Sequence, residues 1–208
     1  MEGAIARWYA ALTRKSLADF TMLAQRVASE ISPGNRVLEV APGPGYFAVE
    51  LAKLGDYRVT GLDISQTFVE IARANAARAN VQAEFQRGDA SRMPFDGGRF
   101  DYVVCRAAFK NFAKPVEALR EMCRVLRPGG RGVIIDMRGD ATPEALSSHV
   151  DAMGLTGFNR IMTKLAFRTT LVKSAYTKGQ FEHMLAQTGF SRVEIREAEI
   201  GLEVTMVK

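Results

Sequence analysis

The chain has 208 residues, 47% of them hydrophobic, which is enough for one substantial core and implies a single globular domain. Its 28 Lys and Arg are scattered among 23 Asp and Glu with no basic run of five, so the net charge of +5 reads mainly as a solvated surface, with a basic active-site mouth as the other reading. The two cysteines, Cys105 and Cys123, lack C-x-x-C spacing and histidine company, which argues against a disulfide framework or a zinc site. No stretch reaches the roughly 20 apolar residues of a membrane span or resembles a signal peptide, so a soluble, cytoplasmic protein is expected. Whether it forms a homo-oligomer is not legible in the residues.

Residues 8–30, WYAALTRKSLADFTMLAQRVASE, carry apolar side chains at near-helical spacing without internal Gly or Pro and predict one or two helices, ended by Pro33-Gly34. An alternation follows: strand RVLEV, helix YFAVELAKLG, strand RVTGLDI, helix SQTFVEIARANAARAN, strands AEFQRGD and FDYVVCR, helix PVEALREMCRVL, strand RGVIIDM. That rhythm predicts an α/β fold, a doubly wound, mostly parallel sheet with helices on both faces.

Residues 139–177 interrupt the rhythm with two expected helices, TPEALSSHVDAMG and GFNRIMTKLAFRTTLVKSAY. The first opens with a capping Thr and a Pro at the first helical position. Inserted between strands, the pair is expected to lie as a lid over the carboxyl end of the sheet, where open parallel sheets bind ligands. The tail reads as helix, strand, turn at Gly201 and strand, an antiparallel hairpin that brings the expected sheet to seven strands. The expected organisation is therefore a helical cap over 1–34, a ligand-binding core over 35–138, the insertion over 139–177, and a helix with hairpin over 178–208.

The segment VLEVAPGPGYF, Val37 to Phe47, sets a strand in front of five residues that are all Ala, Pro or Gly. Pro42 and Pro44 cannot feed a regular ladder, whereas Gly43 and Gly45 permit positive φ and close approach of a ligand to the main chain. A glycine turn between a strand and a helix brings backbone N–H groups to a nucleotide-like ligand. Gly43 to Ala48 also satisfies G-x-G-x-x-A with Asp63 after the second strand, so a dinucleotide site is formally available.

Further residues discriminate. EVAPGPG resembles the first motif of class I S-adenosylmethionine-dependent methyltransferases, an acid followed by x-G-x-G-x-G, with Ala41 in place of the first glycine. That departure should matter little if Ala41 has negative φ. VTGLDIS resembles the second segment, GDASRMPFDGGRFDYVV the third, and LREMCRVLRPGGRGVIID the helix, Pro-Gly turn and strand that follow. The ordered matches cover roughly residues 36–136. The resemblance implies a Rossmann-like methyltransferase fold and S-adenosyl-L-methionine as cofactor, leaving S-adenosyl-L-homocysteine as product. It places Glu39, Ala41, Pro42, Gly43 and Gly45 at the cofactor, Asp63 and Ile64 at its ribose, and Asp89 and Ala90 at its adenine, with Arg106 nearby. Each acid also has a purely structural reading: Glu39 and Asp63 as helix caps, Asp89 as a turn former. Asp63 is expected at the exposed end of its strand.

A sulfonium cofactor is already electrophilic, so the protein has mainly to align a nucleophile in line and exclude water, and no catalytic triad is required. After the fourth strand stands CRAAFKNF, without the histidine segment of many family members and without the Asn/Asp-Pro-Pro-aromatic box of amino-group methylases. Arg106, Lys110 and Asn111 stand there instead, and Arg138 follows the fifth strand. These four are the candidate acceptor-side residues, whose cations would hold an anionic substrate or favour a phenolate or thiolate. Asp136 lacks partner carboxylates for a metal, His183 reads as a surface or packing residue, and His149 on the insertion is a minor candidate base. The expected activity is methyl transfer to an O, S or N atom of a small molecule. The competing readings are a catalytically silent cofactor-binding module and, further off, an RNA or protein methyltransferase or a nicotinamide-dependent oxidoreductase.

Overall fold

Successive residues of the first strand serve opposite faces of the sheet. In the computed structural model, which describes residues 1–152, 157–166 and 172–208, β1 (Arg36–Val40) sends Val37 into one apolar cluster and Leu38 and Val40 into another. A strand buried on both faces reads as a continuous apolar run, which is what RVLEV shows. Parallel to it run β2 (Arg58–Asp63), β3 (Ala83–Arg87), β4 (Phe100–Arg106) and β5 (Leu126–Met137). The antiparallel pair β6 (Arg192–Glu197) and β7 (Gly201–Val207) completes the order β3-β2-β1-β4-β5-β7-β6 among the described residues.

One face is covered by α2 (Leu17–Glu30), α3 (Tyr46–Lys53) and α4 (Gln66–Ala79), whose Leu23, Phe47, Leu51, Val69 and Ala72 pack on Val37, Val59, Tyr102 and Val104. The other is covered by α5 (Pro115–Val125) and α9 (Lys178–Leu185), whose Leu119, Met122, Phe181 and Leu185 meet Leu38, Val103, Ile134 and Val204. Local signals set the helix ends. Ser65 accepts the Phe68 N–H at 3.2 Å to open α4, and Asn80 in the left-handed region closes it. Thr177 and Gln180 form a reciprocal capping box at the start of α9.

Before α2 lies α1 (Gly3–Thr13), joined to it by a 3-10 turn over Arg14–Ser16. The insertion holds α6 (Pro143–Ala152), α7 (Gly157–Ala166) and the single turn α8 (Val172–Ser174). Thr142 caps α6 as its sequence implies, accepting the Ala145 N–H at 3.2 Å. The end of the first expected insertion helix (153–154), the two residues after it (155–156) and the middle of the second (167–171) lie outside the described residues. The insertion leaves β5 at Arg138 and returns at Tyr176, the two being bridged strand to strand, with Gly139 N–H donating to the Tyr176 carbonyl at 3.1 Å.

Two boundaries differ from the sequence expectation. β5 starts at Leu126 rather than Arg131, because Leu126 pairs with Phe100 before the register shifts and Arg131 takes up Tyr102. The intervening Pro-Gly-Gly forms an irregularity inside the strand instead of a turn before it. At the hairpin, the reversal is made by residues 198–200 and Gly201 opens β7, with Ala198 N–H donating to the Gly201 carbonyl at 2.8 Å.

Candidate functional site

The chain leaves β1 through three left-handed residues in five: Ala41 at φ 56°, Gly43 at φ 54° and Gly45 at φ 74°. The reversal is held by Ala41 N–H donating to the Leu62 carbonyl at 2.8 Å and Gly45 N–H to the Pro42 carbonyl at 3.0 Å. The condition of negative φ at Ala41, under which alanine in place of the first glycine would matter little, is therefore not met. Its amide is bonded to the neighbouring strand at the point where the chain must turn back into α3, and a methyl group is carried in a conformation that glycine adopts without strain. Gly45 is required for space as well: a Cβ there would stand 2.8 Å from Ala72 Cβ and 2.9 Å from the Phe85 ring. The turn is thus drawn tight against α4 and β3, and its three N–H groups, those of Ala41, Gly43 and Gly45, are bonded to Leu62, Asp63 and Pro42.

Asp63 ends β2 and is buried, not exposed as its place at a strand end suggested. Its Oδ2 accepts the Gly43 N–H at 3.0 Å and its Oδ1 the Ser65 N–H at 2.9 Å, so it organises both turns while each oxygen keeps a lone pair for a further donor. Burial raises its pKa, opposed by those two amide bonds. Glu39 is also buried, and its Oε2 accepts the Ala48 N–H at 3.2 Å at the start of α3, the capping role that competed with a cofactor role in the sequence. Burial pushes its pKa up to about 8, against the Ala48 bond and reinforced by the charge of Asp63.

Beyond this turn opens a cleft of about 180 Å³ lined by Ala41, Leu62, Ile64, Asp89, Ala90 and Ser91 on one side and Asn111, Phe112 and Ala113 on the other. It is smaller than the roughly 300–1,000 Å³ of a pocket that swallows a whole drug-sized ligand, so it suits one end of an elongated one. Ile64 stands exposed at its wall, an apolar face for a planar ring. Asp89 Oδ1 accepts the Ser91 N–H at 2.8 Å and hydroxyl at 2.9 Å, which hold its carboxyl below the usual range. Asn111, assigned by the sequence to the acceptor side, lines this same cleft.

The expected mouth of free cations is not what forms. Lys110 Nζ lies 2.7 Å from Asp136 Oδ1, with side-chain exposures of only 8% and 2%, and also donates to the Ala107 carbonyl at 3.0 Å. Asp136 Oδ2 accepts the Lys110 N–H at 3.0 Å. The pair is an internal brace for the turn after β4, where Ala107 has φ 54° and a 3-10 turn spans Phe109–Asn111. Arg138 is held by Asp140 at 2.7 Å and Glu197 at 2.7 Å. Arg106 alone of the three points toward the N-terminal helices, its guanidinium 4.2 Å above the Phe20 ring and 3.5 Å from Asp19.

Tyr9, which no sequence signal singled out, sits on α1 within electrostatic reach of both Arg106 and Asp136; burial raises its phenol pKa and Arg106 opposes the shift. His149 and His183 are exposed on α6 and α9. Cys105 is fully buried, and burial pushes its thiol well above the ordinary value, as for a small core residue. Among the described residues no cluster of metal-ligating side chains occurs, and no helix is long and apolar enough to cross a membrane.

The cradle at Gly45, the buried carboxylate of Asp63 and the apolar wall at Ile64 fit an adenosine-bearing ligand laid across the carboxyl ends of β1 to β4. Comparison with known proteins agrees. Residues 37–130 match a family described as a methyltransferase domain. A demethylmenaquinone methyltransferase from Deinococcus radiodurans is 34% identical over 143 residues, covering 68% of this chain and 57% of that protein. A ubiquinone/menaquinone biosynthesis C-methyltransferase from Pseudomonas putida is 28% identical over 187 residues, covering 84% of this chain and 72% of that one. The chain spans about half the length of several of the curated relatives it matches. A Methanococcus maripaludis protein assigned as an S-adenosyl-L-methionine-dependent methyltransferase shares the fold at a TM-score of 0.79 and 23% identity, over 98% of this chain and 91% of that one. The strand order, the left-handed turn after β1 and the matched segments together show that this chain belongs to the class I S-adenosylmethionine-dependent methyltransferases.

Proposed function

We propose that the protein methylates a ring carbon of a small hydroxylated aromatic of the quinol class. The observation that carries this reading is the likeness to quinone-pathway methyltransferases over most of this chain, 84% of it in one case. The acceptor atom then differs from the O, S or N expected from the sequence, because a phenolate delocalises its charge onto the ortho and para carbons and makes them nucleophiles in their own right.

The cofactor supplies an electrophilic methyl group on a positive sulfur. In this reading Asp63 accepts from the ribose hydroxyls, the Ala90 N–H and Asp89 meet the adenine, and the turn from Ala41 to Gly45 receives the amino-acid end. Arg106 lies at the end of β4 and steadies the developing phenolate, and Tyr9 borders the same space. The quinol would first release its hydroxyl proton to water; a ring π pair of the resulting phenolate would form the new carbon–carbon bond while the carbon–sulfur pair stays on sulfur, and the dienone would regain aromaticity as the proton at that carbon passes by way of water to the ring oxygen. Helix α1 and the insertion helices α6 and α7 act as covers that exclude water. Lys110 and Arg138 are left out of this role because each is held by a carboxylate at 2.7 Å, whereas Arg106 stands 3.5 Å from the half-exposed Asp19 and is in the loosest of the three pairings.

The test is incubation with S-adenosylmethionine carrying a deuterated methyl and a short-chain reduced naphthoquinone lacking the ring methyl, beside phenols, thiols and amines. The label on a ring carbon of the quinol is the expected result. Turnover that places it only on oxygen, sulfur or nitrogen would overturn the assignment.

A further inference from the structure

Helix α1 is pinned to the fold on one side and left apolar on the other. Glu2, just before it, accepts the Gln66 and Thr67 amides at 3.0 and 3.1 Å and the Thr67 hydroxyl at 2.6 Å. Those bonds, led by the Thr67 hydroxyl, hold its carboxyl down at about 2. Gly3 N–H donates to Thr67 Oγ1 at 3.0 Å, Tyr9 packs edge-on against Phe68 at 5.9 Å, and the Tyr46 hydroxyl donates to the Ala10 carbonyl at 2.9 Å. The orientation of the helix is therefore set from both ends, with Ala6 and Ala10 buried.

Away from these contacts, Ile5, Trp8 and Leu12 are 62%, 64% and 46% exposed. Their spacing of three and four places them on a single stripe, and Leu17 and Met22 of α2 are exposed as well. Isolated exposed apolar residues are ordinary; an ordered stripe containing a tryptophan marks an interaction surface. At 100° per residue, Tyr9 falls between the stripe and the buried face, so the stripe borders the side of α1 that looks toward Arg106.

Charge selects the occupant. From Gly3 to Ala18 the sequence holds Arg7, Arg14 and Lys15 and no Asp or Glu, within a chain of net charge +5. Two copies meeting through this face would set like charges together. An anionic surface would instead take the apolar stripe and attract the positive charge of this segment as a whole, as for a helix lying in a lipid headgroup layer.

We infer that α1 is an interfacial helix that docks the protein on an anionic lipid bilayer, with Ile5, Trp8 and Leu12 among the upper acyl chains and the net positive charge of residues 3–18 drawing it to the headgroup layer. Docking sets the Tyr9 side of the helix against the membrane, where a lipid-soluble acceptor resides. Only that last advantage rests on the quinol reading; the docking itself rests on α1.

The chain has one tryptophan, so its emission reports the stripe directly. The full chain is titrated with vesicles of phosphatidylglycerol and phosphatidylcholine, and with phosphatidylcholine alone, while co-sedimentation is followed in parallel. A blue shift and co-sedimentation confined to the anionic vesicles and weakened by salt are expected. The Ile5→Ser/Leu12→Ser variant, with unchanged far-UV circular dichroism and thermal midpoint, should partition about tenfold more weakly or worse. Three results overturn the inference: no shift with anionic vesicles, an equal response to neutral ones, or a lipid-free shift that grows with protein concentration and marks self-association. Because neither cofactor nor acceptor is present, such a failure leaves the methyl-transfer reading standing. Conversely, failed transfer to a soluble short-chain acceptor leaves the docking standing.

Discussion

Asp63 accepts the Gly43 N–H at 3.0 Å while also accepting the Ser65 N–H at 2.9 Å, so one buried carboxylate ties the turn after β1 to the turn after β2. Asp63→Ala would strand two amides in a buried setting at roughly 1–3 kcal/mol each. A loss of about 2–6 kcal/mol in urea unfolding is expected, together with at least about tenfold weaker S-adenosylmethionine binding under conditions where the variant is still folded. An unchanged unfolding midpoint would show that the turns hold without the carboxylate.

The Lys110–Asp136 pair carries a different expectation from that of a substrate-binding lysine. Both side chains are nearly fully buried, and removing one partner of such a pair leaves an uncompensated charge at a cost of about 3–5 kcal/mol. Lys110→Met should lose stability of this order, and adding Asp136→Leu should restore much of it. Chemical denaturation of the two variants decides the matter: a stable Lys110→Met protein with altered acceptor kinetics would return Lys110 to the acceptor side.

Glu39 makes stability depend on pH in a direction opposite to most carboxylates. Its folded value of about 8 lies above the ordinary 4.5, so between the two the folded state binds more protons than the unfolded chain. The contribution is fully present below pH 4.5 and is lost as pH rises toward 8. Glu39→Gln keeps an acceptor for Ala48 N–H and cannot ionise, so relative to the parent it should be more stable at pH 8 than at pH 5, by about 2–4 kcal/mol in that difference. Identical pH slopes for parent and variant would mean that Glu39 is ionised in the fold throughout.

Ala41 holds φ 56° with a side chain that disfavours it. A left-handed alanine costs roughly 1–2 kcal/mol, partly offset by the greater chain entropy that glycine brings to the unfolded state. Ala41→Gly should therefore raise stability by up to about 1 kcal/mol while the turn keeps its hydrogen bonds, measured as a higher thermal midpoint. A fall in the midpoint would mean that the Cβ contributes packing at the cleft wall that outweighs the strain.

The strand and helix rhythm, the glycine turn and the methyltransferase segments could be read from the chain because each is written locally, in the period of apolar residues and in the backbone freedom of Gly and Pro. The family resemblance assigns Gly43, Gly45, Asp63, Asp89 and Ala90 to one ligand; in the fold Gly43 is bonded to Asp63, and Asp89 and Ala90 line the cleft. What a charged side chain does was not written locally. Arg106 meets Asp19 across 87 residues, Lys110 meets Asp136 across 26, and Arg138 meets Glu197 over the hairpin, so three cations that looked alike in sequence became a site neighbour, an internal brace and a surface tie. The sign of φ at Ala41 was likewise decided by the bond of its amide to Leu62 on the next strand. Tyr9 and the stripe of Ile5, Trp8 and Leu12 share one short helix, and only its docking on α4 determined which side chains it turned inward and which it left uncovered. Periodicity and turn chemistry are properties of neighbours in the chain, whereas charge pairing, strain and exposure depend on groups that folding brings together from far apart.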